Sequence, residues 1–174
     1  IFEIGMSKTG EINTLSKLVQ PHIGVITNIG EAHIENFKNL HGIAKAKGEI
    51  INNIKKNGTI ILNRDDRFFN YLNKRAKSRK LKIISYGKNI KSDVYPIKIY
   101  KFKNFIKMKV KVKDENLDLT FKNINIYNVL SSLAVLKELN LKLIKISNNF
   151  KDYEPTEGRG KVHIIKRYNK KFKF

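Results

Sequence analysis

A lysine stands where an apolar side chain is expected. Ile43, Lys47, Ile50, Ile51 and Ile54 fall at i, i+4, i+7, i+8 and i+11, positions that share one face of an α-helix. Lys47 therefore lies in an apolar stripe, while Lys45, rotated by ~200° from it, turns toward solvent. A core-facing lysine must snorkel, pair or lose its charge. Burial lowers an ammonium pKa, and the neutral amine can react with carbon dioxide to give a carbamate, an anionic oxygen ligand suited to magnesium. Helix geometry alone leaves both snorkelling and carbamylation open.

Other polar residues sit where an α/β sheet places its ligands. Glu3 lies inside the apolar run Ile1-Phe2-Glu3-Ile4-Gly5, and a carboxylate at the carboxyl end of a strand is a ligand position, unless it simply faces water. His33 follows the apolar run Ile23–Thr27 on a polar loop, Asn28 to Glu35, where imidazole can bind metal, contact phosphate or do neither. Asn125 and Asn128 are spaced i, i+3 at a helix start, where amides read a purine edge or cap the helix. Asn63-Arg64-Asp65-Asp66 after a strand is most simply a helix-start signal. Arg159, between Gly158 and Gly160, is a phosphate clamp or a plain loop residue.

The elements that must carry these residues follow from periodicity. Strands are expected at Ile1–Gly5, 23–27, 59–62 and 81–86. Helices are expected at 14–19, at 41–56 with Asn57-Gly58 closing it, and from Asp65 or Asp66 to about Ala76. This alternation predicts an α/β fold with a mostly parallel sheet and crossover helices. From 94 to 121 apolar residues alternate with Lys or Asp in three runs, 94–100, 105–113 and 117–121, as in a small antiparallel sheet with one buried side. Asn104 and Asp114-Glu115-Asn116 supply the turns. Helices are expected at 125–139 and 142–149. The segment 154–160 is a loop and domain boundary, after which Val162–Ile165 begins a new element.

Composition narrows the function. Of 174 residues 41% are hydrophobic, enough for a core and against wholesale disorder. No stretch approaches the ~20 apolar residues of a membrane span, and the first residues lack a secretory pattern, so the expected location is the cytoplasm. The absence of cysteine excludes disulfides and thiolate chemistry. Lys plus Arg is 36 and Asp plus Glu 15, a net charge of +21, which raises nucleic acid or an anionic surface as partners. Yet 30 of the 36 are lysine, and Lys, Asn and Ile together make 75 of 174 residues. That skew is the mark of AT-rich codons, and arginine, the usual base reader, is scarce. Nucleic acid is therefore not the expected partner.

Taken in order, the segments Phe2–Gly5, Gly10–Ile12, Ile26–Phe37, Gly42–Ile50 and Ile61–Asp66 resemble the central domain of the Mur ligases. Ala32 before His33 and the run Ala44-Lys45-Ala46-Lys47-Gly48-Glu49-Ile50 favour the type that joins UDP-N-acetylmuramoyl-tripeptide to D-alanyl-D-alanine. The resemblance implies ATP and Mg2+ as cofactors. It implies Glu3, His33 and a carbamylated Lys47 around the metal, with His33 and Lys47 as the catalytic pair. Asn28, Asn125, Asn128 and Arg159 are the implied nucleotide contacts, although the family's Gly-x-His-Asn is replaced here by Lys122-Asn123-Ile124-Asn125. It further implies a central domain over residues 1–153 without its upstream phosphate loop, a linker and the start of a C-terminal ligase domain over 154–174, and a monomer when full length. The non-methionine start fits a chain that continues upstream. The rivals are a sister Mur ligase, a folylpolyglutamate-synthetase-like ligase, a non-catalytic polyanion-binding module and a functionless remnant.

Overall fold

Burial concentrates on one strand. Ile60, Ile61 and Leu62 are wholly excluded from solvent, each burial stabilising by about 1.5–3 kcal/mol, and the sheet is built outward from them. The computed structural model describes residues 1–31, 34–122, 124–153, 164–167 and 170–173. In chain order the elements are α1 (Glu11–Val19), β1 (Ile23–Ile26), a 3-10 turn (Ile34–Asn36), α2 (Leu40–Lys47), α3 (Ile50–Asn53), β2 (Thr59–Asn63), α4 (Phe69–Ser78) and β3 (Lys82–Tyr86). They continue with β4 (Val94–Lys101), β5 (Phe105–Val112), β6 (Glu115–Lys122), α5 (Ile126–Glu138), α6 (Leu143–Ile146) and α7 (Asn149–Asp152). A separate antiparallel pair, β7 (Ile164–Arg167) and β8 (Lys170–Lys173), follows.

The first six strands form one sheet in the order β1-β2-β3-β4-β5-β6. β1, β2 and β3 are parallel, with helices in each connection, as the alternation of periods predicts. The antiparallel strands do not stand apart from them. β4 joins β3 in parallel through the single pair Tyr86–Val94, and β5 and β6 extend the sheet antiparallel. The short β3–β4 link is held by Asp93, whose Oδ2 accepts from the Ser85 amide and hydroxyl at 2.7 and 2.6 Å. Strand alternation divides the core. Ile60 and Leu62 face a cluster with Ile43, Ile51, Ile54 and Leu72 from α2 to α4. Ile61, Ile84 and Tyr86 face Val129, Leu130 and Leu133 of α5. Among the described residues no helix is long and apolar enough to cross a membrane.

Several expected elements differ. Ile1–Gly5 belongs to no strand, and β1 stands at the edge of the sheet's order. The helix expected over 41–56 breaks at Gly48-Glu49, where bonding tightens from i−4 to i−3 (Glu49 to Ala46, Ile51 to Gly48, Asn52 to Glu49). Gly48 lets α4 lie close at this point; an added Cβ would meet Arg75 Nη1 at 2.7 Å and Leu72 Cδ2 at 3.1 Å. The first helix starts at Glu11 rather than at 14, because a distant carboxylate holds its amino end, as described below. The β5–β6 turn is Lys113-Asp114, with Lys113 at φ 53°, so Glu115 and Asn116 pair in the strand. The stretch 142–149 holds two short helices, α6 and the start of α7. The loop at 154–160 lies outside the described residues.

α5 runs back along the sheet, and its carboxyl end is fixed by charge. Glu138 accepts from Thr59 Oγ1 at 2.6 Å and pairs with Lys82 Nζ at 2.7 Å. Burial pushes its carboxyl up, but the bonds from Lys82 and Thr59 outweigh it and hold the group below the ordinary glutamate value. A depressed folded pKa contributes stability above the unfolded value and loses it as pH falls through the folded one. Glu138→Gln is therefore expected to be less stable than the parent at neutral pH. The gap should close as pH falls below 4.5, measured by urea denaturation at a series of pH values.

Candidate active site

The carboxyl ends of β1, β2 and β3 converge on two adjacent carboxylates. Asp66 Oδ2 accepts from the Ile29 amide at 2.7 Å and Asp66 Oδ1 from the Phe68 amide at 2.8 Å. The first bond ties the loop after β1; the second caps the approach to α4, as the helix-start signal predicts. Asp65 turns the other way. Its Oδ2 accepts from the Lys88 amide at 2.6 Å, its Oδ1 from the Asn89 amide at 3.2 Å, and Tyr127 Oη donates to Oδ2 at 3.1 Å. This holds the loop after β3 and the first turn of α5. Gly87 leaves room for the carboxylate, since an added Cβ would lie 2.9 Å from its atoms.

Lys47 meets this cluster from α2. It is half-buried beside Ile43 and Ile51, which are fully buried, and its Nζ donates to the Asn28 carbonyl at 2.8 Å. Burial lowers its pKa below the ordinary lysine value, and the nearby Asp66 charge partly opposes the shift. The lysine thus both reaches a polar partner and sits where its charge is disfavoured. Beneath it, the fully buried Tyr86 donates its hydroxyl to the Thr27 carbonyl at 2.8 Å. Burial first, then Asp66 and Tyr127, push this phenol well up, so it remains a donor across the working pH range.

The same short run that carries Lys47 also fixes α1. Two residues on, the Glu49 carboxylate accepts from the Gly10 amide at 2.9 and 3.1 Å and from the Asn13 amide at 3.0 Å. These are unpaired donors of a helix start, where negative charge is favoured. Asn53 adds bonds to Asn13 O and Ser16 Oγ at 3.1 and 2.9 Å. The turn ahead of α1, from Gly5 to Gly10, frames an open pocket of about 870 Å³ with Lys8 and Thr14 in its lining.

Of the residues singled out by sequence, the structure brings Lys47 and Asn28 into direct contact. Asn125 and Asn128 lie exposed at the start of α5, on the side of the sheet where Tyr127 meets Asp65. Asn125 Oδ1 accepts from the Tyr127 amide at 2.9 Å, so it caps the helix. Glu3 is exposed on the segment before the pocket, not at a strand end. His33 and Arg159 lie outside the described residues. Among the described residues no three His, Cys, Asp or Glu side chains gather at metal-holding spacing. Sequence reasoning missed Asp65 as a bridge, and also Tyr86, Tyr127 and Glu49. The available signal was two consecutive acids directly after the most apolar strand, twice as many as a helix cap requires.

Comparison with known proteins agrees with this geometry. Residues 1–136 match the Mur ligase middle domain. The chain is 31% identical over 166 residues to the UDP-N-acetylmuramoyl-tripeptide–D-alanyl-D-alanine ligase of Rickettsia prowazekii, covering 93% of this chain and 37% of that protein. It is 36% identical over 149 residues to the ligase of the same name from Buchnera aphidicola, covering 84% of this chain and 33% of that protein. Among solved structures, MurF from Acinetobacter baumannii superimposes with a TM-score of 0.84 at 27% identity, over 97% of this chain and 37% of that one. The chain thus spans roughly a third of the length of the relatives it matches.

Asp66 links loop geometry to the charge on Lys47. Asp66→Asn removes the charge that supports the ammonium, while its single amide oxygen can still accept from one of the Ile29 and Phe68 amides. The pKa of Lys47 should fall further, measured as an acid-ward shift in the pH profile of its acylation by mass spectrometry. An unchanged profile would contradict the coupling.

Proposed function

Because the chain belongs to the Mur ligase family, we propose that it is the central nucleotide-binding part of a ligase joining D-alanyl-D-alanine to UDP-N-acetylmuramoyl-tripeptide. Mur ligases are ATP-dependent ligases. In the whole enzyme the tripeptide carboxylate attacks the γ-phosphate of ATP, giving an acyl phosphate and ADP. The amine of D-alanyl-D-alanine then displaces phosphate to form the amide. The enzyme acts in the cytoplasm as a monomer. In this reading residues 1–153 are the central domain, and 154–174 are the linker and start of the C-terminal domain. The agreement of two relatives named for this activity, at 31% and 36% identity, carries the choice of substrates.

The observation that carries the chemistry is Lys47, an amine of lowered pKa at the carboxyl ends of the parallel strands, where open α/β sheets bind ligands. As a free amine its nitrogen lone pair attacks carbon dioxide, an N–C bond forms, and a proton is lost to give a carbamate. That anion suits a hard cation, and in this reading Glu3, His33 and carbamylated Lys47 are the residues that would hold Mg2+. Magnesium, when bound, offsets charge on the phosphates and on the developing oxyanions. Asn28, Asn125, Asn128 and Arg159 position the nucleotide, and the Asp65–Tyr127 contact keeps the start of α5 beside the loops that flank it.

The test is phosphate release by the full-length gene product with ATP, UDP-N-acetylmuramoyl-tripeptide and D-alanyl-D-alanine. Turnover is expected with this pair. Activity instead with a single amino acid, or with glutamate on folate, would reassign the enzyme to a sister ligase. Lys47→Ala should abolish turnover, by at least about 100-fold, and added bicarbonate should not restore it. A fully active variant would remove Lys47 from the site.

A further inference from the structure

The antiparallel half of the sheet has two unlike faces. One packs on α5 through Ile106, Met108 and Val110, all buried. On the other, strand alternation and register place Lys98 opposite Lys109, Tyr100 opposite Lys107 and Phe105 opposite Lys122, with Lys111 further along β5. These five lysines share the face with one acidic residue, Asp118, which lies opposite Lys109. The like-charged pair Lys98–Lys109 lies directly across the ladder, an unfavourable arrangement that Asp118 offsets only at Lys109, and the face as a whole is complementary to an external anion. A shallow groove of about 430 Å³ runs between Lys98, Lys107, Lys109 and Asp118.

At the β4–β5 turn the cationic face ends in aromatic rings. Phe102 and Phe105 stack at 4.5 Å, Phe102 is 47% exposed, and the Lys107 ammonium stands 5.9 and 6.0 Å from the two rings. An AT-biased composition supplies both lysine and phenylalanine to any surface, but not the stacking of two rings beside an ammonium. Binders of single-stranded nucleic acid leave aromatic faces open for bases. Here Phe102 and Phe105 cover each other, and Lys98 lies 5.0 Å from the centre of the Tyr100 ring. What remains open is an apolar tip in a cationic surround, the arrangement that suits the headgroup boundary of a bilayer.

We propose that the outer face of β4–β6, led by Phe102 and Phe105, docks on an anionic phospholipid surface. The lysines neutralise headgroup phosphates and the aromatic tip enters the boundary with the acyl chains. The reading is independent of the ligase chemistry, since none of these residues belongs to the candidate active site.

The test is sedimentation of the full-length enzyme with vesicles of phosphatidylglycerol and phosphatidylcholine, against vesicles of phosphatidylcholine alone. Binding is expected to the first only, weakening with salt. Lys107→Glu with Lys109→Glu should lower partitioning about tenfold or more. Phe102→Ser should weaken the part that persists in salt. Lys142→Glu with Lys145→Glu makes the same charge change on and beside α6, at the α5 side of the sheet, and should leave partitioning nearly intact. Both double variants should keep ligase turnover in solution, which also reports that they fold. Absent binding, or equal loss in the two double variants, would overturn the proposal. So would retention of a single-stranded oligonucleotide in place of vesicles, which would reassign the face to nucleic acid.

Discussion

Two neighbouring carboxylates just beyond β2, the middle of the three parallel strands β1–β3, hold the working end of this molecule together. Asp66 accepts from the loop after β1 and the approach to α4; Asp65 accepts from the loop after β3 and from the start of α5. Their partners are loop amides, an amide at the approach to α4 and the Tyr127 phenol on α5. Hydrogen bonds to charged groups are worth about 1.5–3 kcal/mol each, enough to give loops a defined shape. The two side chains bond to different loops, so one dipeptide links three strand ends. The sheet beneath gives the pair a rigid base, since Ile60, Ile61 and Leu62 are packed on both faces.

Lys47 acquires its character from this frame. The Asp66–Ile29 bond shapes the loop whose Asn28 carbonyl receives the lysine's amine. The buried neighbours on α2 and α3 disfavour its charge, and Asp66 keeps that effect in check. Two residues on, Glu49 secures α1. One short run of sequence therefore serves two ends of the domain, Lys47 toward the strand ends and Glu49 toward the turn that follows Glu3.

Much of this was legible in the sequence, for physical reasons. β1, β2 and β3 announce themselves as short apolar runs, and the 3.6-residue spacing around Lys47 places it correctly in the apolar stripe. The continuity of the antiparallel strands with the parallel sheet was not legible, because it rests on the single pair Tyr86–Val94 and the Ser85–Asp93 bonds. Nor was the bridging role of Asp65, whose partners are backbone amides 23 and 24 residues away that any sequence supplies. The close approach of Leu72 and Arg75 to Gly48 was not legible either, because periodicity cannot register a neighbour's proximity. At Glu3, His33 and Arg159 only the motif resemblance assigns a role, and His33 and Arg159 lie outside the described residues.

The proposed chemistry depends on Lys47 taking up carbon dioxide at a site where burial lowers its pKa. The most direct measurement is the 13C NMR spectrum of the full-length enzyme equilibrated with 13C-bicarbonate near neutral pH. A carbamate carbonyl resonance is expected in the parent enzyme, absent from Lys47→Arg. A spectrum with no such resonance, or one that persists in Lys47→Arg, would contradict it.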